Sequence, residues 1–168
     1  EISKQDDFVQ DCTIDTDLEI LIPDSYVESI TERLSLYQRL DNSETEAELG
    51  DMKLELEDRF GALPEQVNAL FDTVRCRKLA VELGFEKMSL KDNVLRCYFI
   101  TRPDSPYFES ATFNKILAYI QTGTNRAKLK QNGRLFMLFV NDTRGMESML
   151  RFLQGMHKAV FGLQTQPE

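Results

Sequence analysis

The chain has 168 residues, 42% of them apolar, and carries 28 acids against 20 lysines and arginines for a net charge of −8. That length suits a single domain with one substantial core, and the longest apolar run, Leu135 to Val140, is far too short to span a membrane. The amino terminus is acidic where a signal peptide is basic, and the three cysteines (Cys12, Cys76, Cys97) include no CxxC pair, which excludes a disulfide framework or a zinc site. A soluble cytoplasmic chain with reduced thiols is expected, monomeric in isolation.

Residues 1–16 are polar and acidic around an isolated Phe8-Val9 and read as a linker or arm. DLEILIP (17–23) has the pattern of a short strand ended by Pro23. Ser25 and Glu28 form a capping box for a first helix over 26–40 with the stripe Val27, Ile30, Leu34, Tyr37. A second box, Ser43 and Glu46, opens a helix with Leu49, Met52, Leu56 and Phe60 inward and Gly61 as its stop. Pro64 starts a third helix, carrying Val67, Leu70, Phe71, Val74 and Val81, that Gly84 ends.

The period then changes. FEKMSL and VLRCYFI, joined across Lys91-Asp92-Asn93, predict a hairpin, and RLFMLFV (134–140) a third, buried strand. Ser105-Pro106 opens a helix with Phe113, Ile116, Leu117 and Ile120 that Gly123 ends, and Met146, Met149, Leu150 and Leu153 mark a last helix. The expected fold is α+β: a helical amino-terminal half, then a small, mostly antiparallel sheet interleaved with two helices. One domain over 17–160 and a frayed tail at 161–168 complete the expected organisation.

No catalytic residue, cofactor or metal ligand emerges. The sequence has no GxxxxGK[ST], GxGxxG, GxSxG or HExxH. His157, the only histidine, falls near the end of the last helix, where a capping or surface role is expected. Cys76 stands among Arg75, Arg77 and Lys78 but reads as a helix-embedded structural thiol.

Charge carries more information. Residues 1–84 hold 21 acids and 8 bases, and residues 85–168 hold 7 and 12, so any nucleic-acid contact belongs to the second half. On a helical wheel Glu44, Glu48, Asp51, Glu55 and Asp58 fall within an arc of roughly 80°, away from the core stripe, while Lys53 faces the other side. Intrahelical i,i+4 pairing is expected to be missing along this stripe. A solvated face is one reading, since acids suit the start of a helix. Glu55 and Asp58, however, sit in its last turns, where the dipole disfavours them, and this points to a cationic partner.

IPDSYV (22–27), RLSLYQRL (33–40) and LELEDRFGALP (54–64), in this order and spacing, resemble the C-terminal domain of the bacterial transcription-repair coupling factors, the Mfd family. The resemblance is specific over Asp17 to Gly84 and weaker beyond. It implies a regulatory piece of a large ATP-dependent DNA translocase that displaces stalled RNA polymerase and recruits UvrA. By that resemblance the domain is an autoinhibitory clamp on an amino-terminal UvrB-like module, covering the UvrA-binding surface. It also implies that the Glu-x-x-Asp pair before RFG, here Glu55 and Asp58, meets arginines of that module, with Glu48, Asp51 and Arg59 beside it. Glu57 departs from the family pattern, and its wheel position, about 140° from the centre of the acidic stripe, keeps it out of this interface.

Two rival readings stand beside the clamp. Arg126, Lys128, Lys130 and Arg134 cluster between the fourth helix and the third strand as a nucleic-acid contact or, in the absence of interleaved aromatics, a solvated loop. A homodimer built on Met146, Met149 and Leu150 is the other, against which stands simple core packing.

Overall fold

A computed structural model describes residues 8–123, 126–133 and 135–162. Most of the expected tail, the first seven residues of the expected arm and Arg134 lie outside them. The chain divides into two compact units: Glu19–Val74, and Glu1–Leu18 with Arg75–Glu168. The fold is α+β: one short strand, three helices, and then the other four strands of a mixed five-stranded sheet with two further α-helices.

The first unit, Glu19–Val74, contains α1 (Ile30–Asn42), α2 (Glu46–Phe60) and the start of α3 (Glu65–Leu83). DLEILIP forms no strand. With no neighbouring ladder to join and Pro23 lacking an N–H, it runs as irregular chain that buries only Ile22; the Ile22 N–H donates to Tyr37 Oη at 2.7 Å. A turn on the Pro23 carbonyl follows, so α1 begins four residues later than its predicted start. Its cap is Ser29, whose Oγ accepts from the Glu32 N–H, while the Glu32 carboxylate goes to Arg59 and leaves the box half made. That shift turns the helix: Leu36 and Leu40 are buried, and the expected stripe residues Ile30 and Leu34 stay 65% and 63% exposed. Val27 still reaches the core, delivered by the turn, among Leu49, Met52, Leu56, Val67, Phe71 and Val74. Tyr26 Oη closes the end of α2 by donating to the Gly61 carbonyl at 2.8 Å.

In the other unit five strands stand in the order β1-β2-β3-β5-β4. β1 (Thr13–Thr16), inside the segment read as an arm, pairs parallel with β2 (Phe85–Lys91). Thr16 Oγ1 donates to the Leu90 carbonyl at 2.7 Å and Asp17 accepts from the Asp92 N–H at 2.9 Å. The β2–β3 hairpin (β3, Val94–Phe99) turns on Asp92 and Asn93, both at positive φ (53° and 61°), the pair of conformations a two-residue type I′ turn requires. β4 (Ala127–Asn132) and β5 (Leu135–Val140) are antiparallel. The basic cluster read as a loop is therefore mostly an edge strand; its alternation, Ala-Lys-Leu-Lys, is weak because only Ala127 is buried.

One sheet face is covered. Met88, Leu90, Leu95, Cys97, Phe99, Leu138 and Val140 are buried, and Phe99 meets Phe113 of α4 (Ala111–Gln121) edge to face at 5.3 Å. Ser105-Pro106 starts only a 3-10 turn, Pro106–Glu109, and Ser110 caps α4 itself. α5 (Gly145–Phe161) buries Met146, Met149, Leu150, Leu153, Met156 and Val160, so the surface required for the homodimer reading is core. His157 is buried too, correcting its expected surface role: its ring bonds to Glu82 and lies 4.6 Å from the ring of Phe161. All three cysteines are buried and none is in a disulfide, and burial pushes the Cys12 thiol up to about 12. Among the described residues no helix is long and apolar enough to cross a membrane.

Candidate functional site: the acidic face of α2

The start of α2 is set by Thr45, whose hydroxyl accepts from the Glu48 N–H at 3.1 Å while Glu48 Oε2 accepts from the Glu44 N–H at 2.7 Å. This cap lies two residues beyond the predicted Ser43/Glu46 box, because Ser43 closes α1 instead, donating to the Arg39 carbonyl at 2.8 Å. Glu44 consequently precedes the helix and leaves the stripe. Glu48, Asp51, Glu55 and Asp58 remain, at i+3 and i+4 steps along one face.

The four acids are not equivalent. Glu55 is held by both Nη atoms of Arg39 on α1, at 2.6 and 3.2 Å, and Arg59 approaches it at 3.6 Å. Arg59 also pairs with Glu32 and lies over the Phe60 ring at 4.7 Å. The expectation of missing i,i+4 pairing is thus corrected at Glu55, which has Arg59 four residues on. Arg39, the stronger partner, was missed because it lies on another helix; with Leu36 and Leu40 taken as the core stripe, it falls beside them. The Arg39 guanidinium, chiefly by its hydrogen bond, holds the Glu55 carboxyl below its ordinary value, and the same contact raises Arg39. Both side chains are about two-fifths exposed, which limits such a pair to roughly 0.2–1 kcal/mol.

Asp51 and Asp58 are exposed and make no hydrogen bond or ion pair among the described residues. For Asp58 the unfavourable position near the negative end of the helix is therefore uncompensated, whereas at Glu55 two arginines offset it. Beside them Arg39, Asn42, Ser43, Glu48, Asp51, Met52 and Glu55 line an open cleft of about 380 Å³. The unit Glu19–Val74 carries fourteen acids against four bases, net −10. Its electrostatics suit a cationic side chain entering beside Asp51 and Glu48.

The basic cluster of the second half is partly dispersed. Arg126 donates to the Asp142 carbonyl at 2.7 Å and approaches its carboxylate at 3.4 Å, where Arg144 also binds. Lys128 and Lys130 are exposed on β4, and Lys130 Nζ lies 3.9 Å from the centroid of Phe139 on β5. An aromatic is thus interleaved after all; it comes from the next strand, where linear spacing does not show it. Arg134 lies outside the described residues. No group of three or more His, Cys, Asp or Glu side chains among the described residues is placed to hold a metal.

A family model described as the TRCF domain matches residues 16–110. The transcription-repair-coupling factor of Rickettsia conorii (strain ATCC VR-613 / Malish 7) is 35% identical over 123 residues, 73% of this chain and 10% of that protein. That of Escherichia coli (strain K12) is 38% identical over 88 residues, 52% of this chain and 8% of that protein. This chain spans about a tenth of the length of these relatives. In fold it is similar to the crystal structure of the C-terminal domain of a transcription-repair coupling factor, with a TM-score of 0.73 over 92% of this chain and 96% of that one, at 15% identity. The chain belongs to the transcription-repair-coupling factor family.

Proposed function

We propose that this chain is a non-catalytic autoinhibitory module of a transcription-repair coupling factor. The exposed acids of α2 dock on an amino-terminal UvrB-like module of the same protein. Docking masks the surface that binds UvrA and restrains ATP-driven translocation on DNA until RNA polymerase is engaged. The observation that carries this reading is the pair Asp51 and Asp58, exposed and unpartnered on a unit of net charge −10. Glu55 takes a supporting role: fixed by Arg39 and Arg59, it sets the spacing of α2 from α1 and adds its charge to the face.

Magnitudes favour a weak, releasable contact. Two or three exposed ion pairs give about 1–2 kcal/mol, and 99% closure needs about 2.7 kcal/mol. Tethering supplies the difference. At an effective concentration on the order of 1 mM, an interface of roughly 10 μM affinity stays about 99% closed, and a polymerase contact of a few kcal/mol opens it.

In the full-length protein carrying Asp51→Lys/Asp58→Lys, ATP hydrolysis without polymerase is expected to rise, and UvrA to be captured without activation. Basal hydrolysis and UvrA capture both unchanged from the parent would contradict the reading.

A further inference from the structure

The sheet face opposite the core, exposed at Lys87, Lys128 and Lys130, half-buried at its centre and buried at Ser89, has a composition unlike the rest of the molecule. Strand register aligns Ser89, Arg96, Phe139 and Lys128 in one row across β2-β3-β5-β4, and Lys87, Tyr98, Met137 and Lys130 in the next. These positions alternate with the buried set Met88, Leu95, Cys97, Leu138 and Val140, so their side chains project from the opposite face. Each ring there is matched to a cation. Lys87 Nζ lies 5.7 Å from the Tyr98 centroid, and Arg96 and Lys130 lie 5.2 and 3.9 Å from that of Phe139.

Lys87, Arg96, Lys128 and Lys130 make no ion pair among the described residues. The acid bordering them, Asp15 of β1, is taken by Lys91 at 2.8 Å. Arg96, Lys128 and Lys130, with Lys87 partly offset by the nearby Asp15 carboxylate, thus share one surface with two half-buried rings. From β2 to β4 they cover three strand spacings, about 14 Å.

We propose that this face binds single-stranded nucleic acid. A duplex or an acidic peptide would meet only the cations. An unpaired strand has both phosphates for Lys87, Arg96, Lys128 and Lys130 and bases that stack on Tyr98 and Phe139. Stacking on rings is indifferent to base identity, so the binding is sequence-tolerant. The chain's overall negative charge opposes approach at long range, so the interaction is weak and belongs to a strand already held nearby. This inference is independent of α2 docking, since it uses other residues.

Fluorescence anisotropy of a labelled 15-nucleotide oligo(dT) titrated with this chain at 20 mM salt tests it. Binding is expected, weakening with salt at a logarithmic slope of about −2 to −3, as three to four phosphate contacts to a single strand give. Tyr98→Leu/Phe139→Leu should weaken it five-fold or more, and Lys128→Glu, an edge-strand change that spares every ring, should do so independently. Arg151→Ala, on α5, should leave it unaltered. Absence of binding overturns the proposal. So does equal binding of a 15-base-pair duplex with no effect of ring loss, which would indicate phosphate contact alone. Tighter binding of a polyglutamate peptide than of the oligonucleotide would also overturn it, in favour of an acidic protein surface.

Discussion

Gly84 shows how one residue can fix a junction. It ends α3 at φ +94°, and a Cβ there would stand 2.1 Å from Cε1 of Tyr107. That ring cannot yield, being 1% exposed and donating its hydroxyl to the Leu83 carbonyl at 2.6 Å. Gly84→Ala combines left-handed strain with an overlap in a packed core, and urea unfolding should show a loss of roughly 3 kcal/mol. The Arg39–Glu55 pair makes a smaller contribution with a defined pH signature. Glu55 titrates below its ordinary value of 4.5 in the folded chain because Arg39 binds the carboxylate. Its stabilisation is therefore full above pH 4.5 and is lost as pH falls through the lowered folded value. Wild type should exceed Glu55→Gln by about 0.5 kcal/mol at pH 7, with the gap shrinking as the pH is taken down below 4.5. A gap that does not shrink on acidification would show that the carboxylate charge is not the source.

At the scale of elements, what was legible in the sequence depended on whether a segment's neighbours are local. α2, α3, α5 and the β2–β3 hairpin carry their own apolar stripes or turn residues, and they form near their predicted positions. β1 and β4 do not. Each is an edge strand whose existence depends on a ladder with β2 or β5, so a four-residue polar stretch became a strand while the more apolar DLEILIP did not. The start of α1 was misplaced because two Ser-x-x-Glu boxes compete, Ser25/Glu28 and Ser29/Glu32, and the turn on Pro23 decides for the second. At the candidate site the acidic face was readable from spacing, but its division was not. Which acids are neutralised depends on Arg39, sixteen residues from Glu55 and one helix away. The ring between Lys128 and Lys130 was hidden for the same reason. Ser29→Ala should cost about 1 kcal/mol by loss of the α1 cap, with Ser25→Ala near neutral; the reverse order in thermal unfolding would restore the earlier helix start.

The whole molecule is a charge-segregated chain. One unit holds fourteen acids and four bases, and the remainder holds fourteen and sixteen. The chain belongs to the transcription-repair-coupling factor family, and the function proposed above assigns the acidic unit a weak, reversible docking role. The most direct test is calorimetric titration of this chain with a separately expressed amino-terminal UvrB-like module at 50 and 500 mM salt, beside Asp51→Lys/Asp58→Lys. Binding near 10 μM that weakens with salt and vanishes in the variant is the predicted result. Equal binding by wild type and variant, or no binding by either at 50 mM salt, would contradict it.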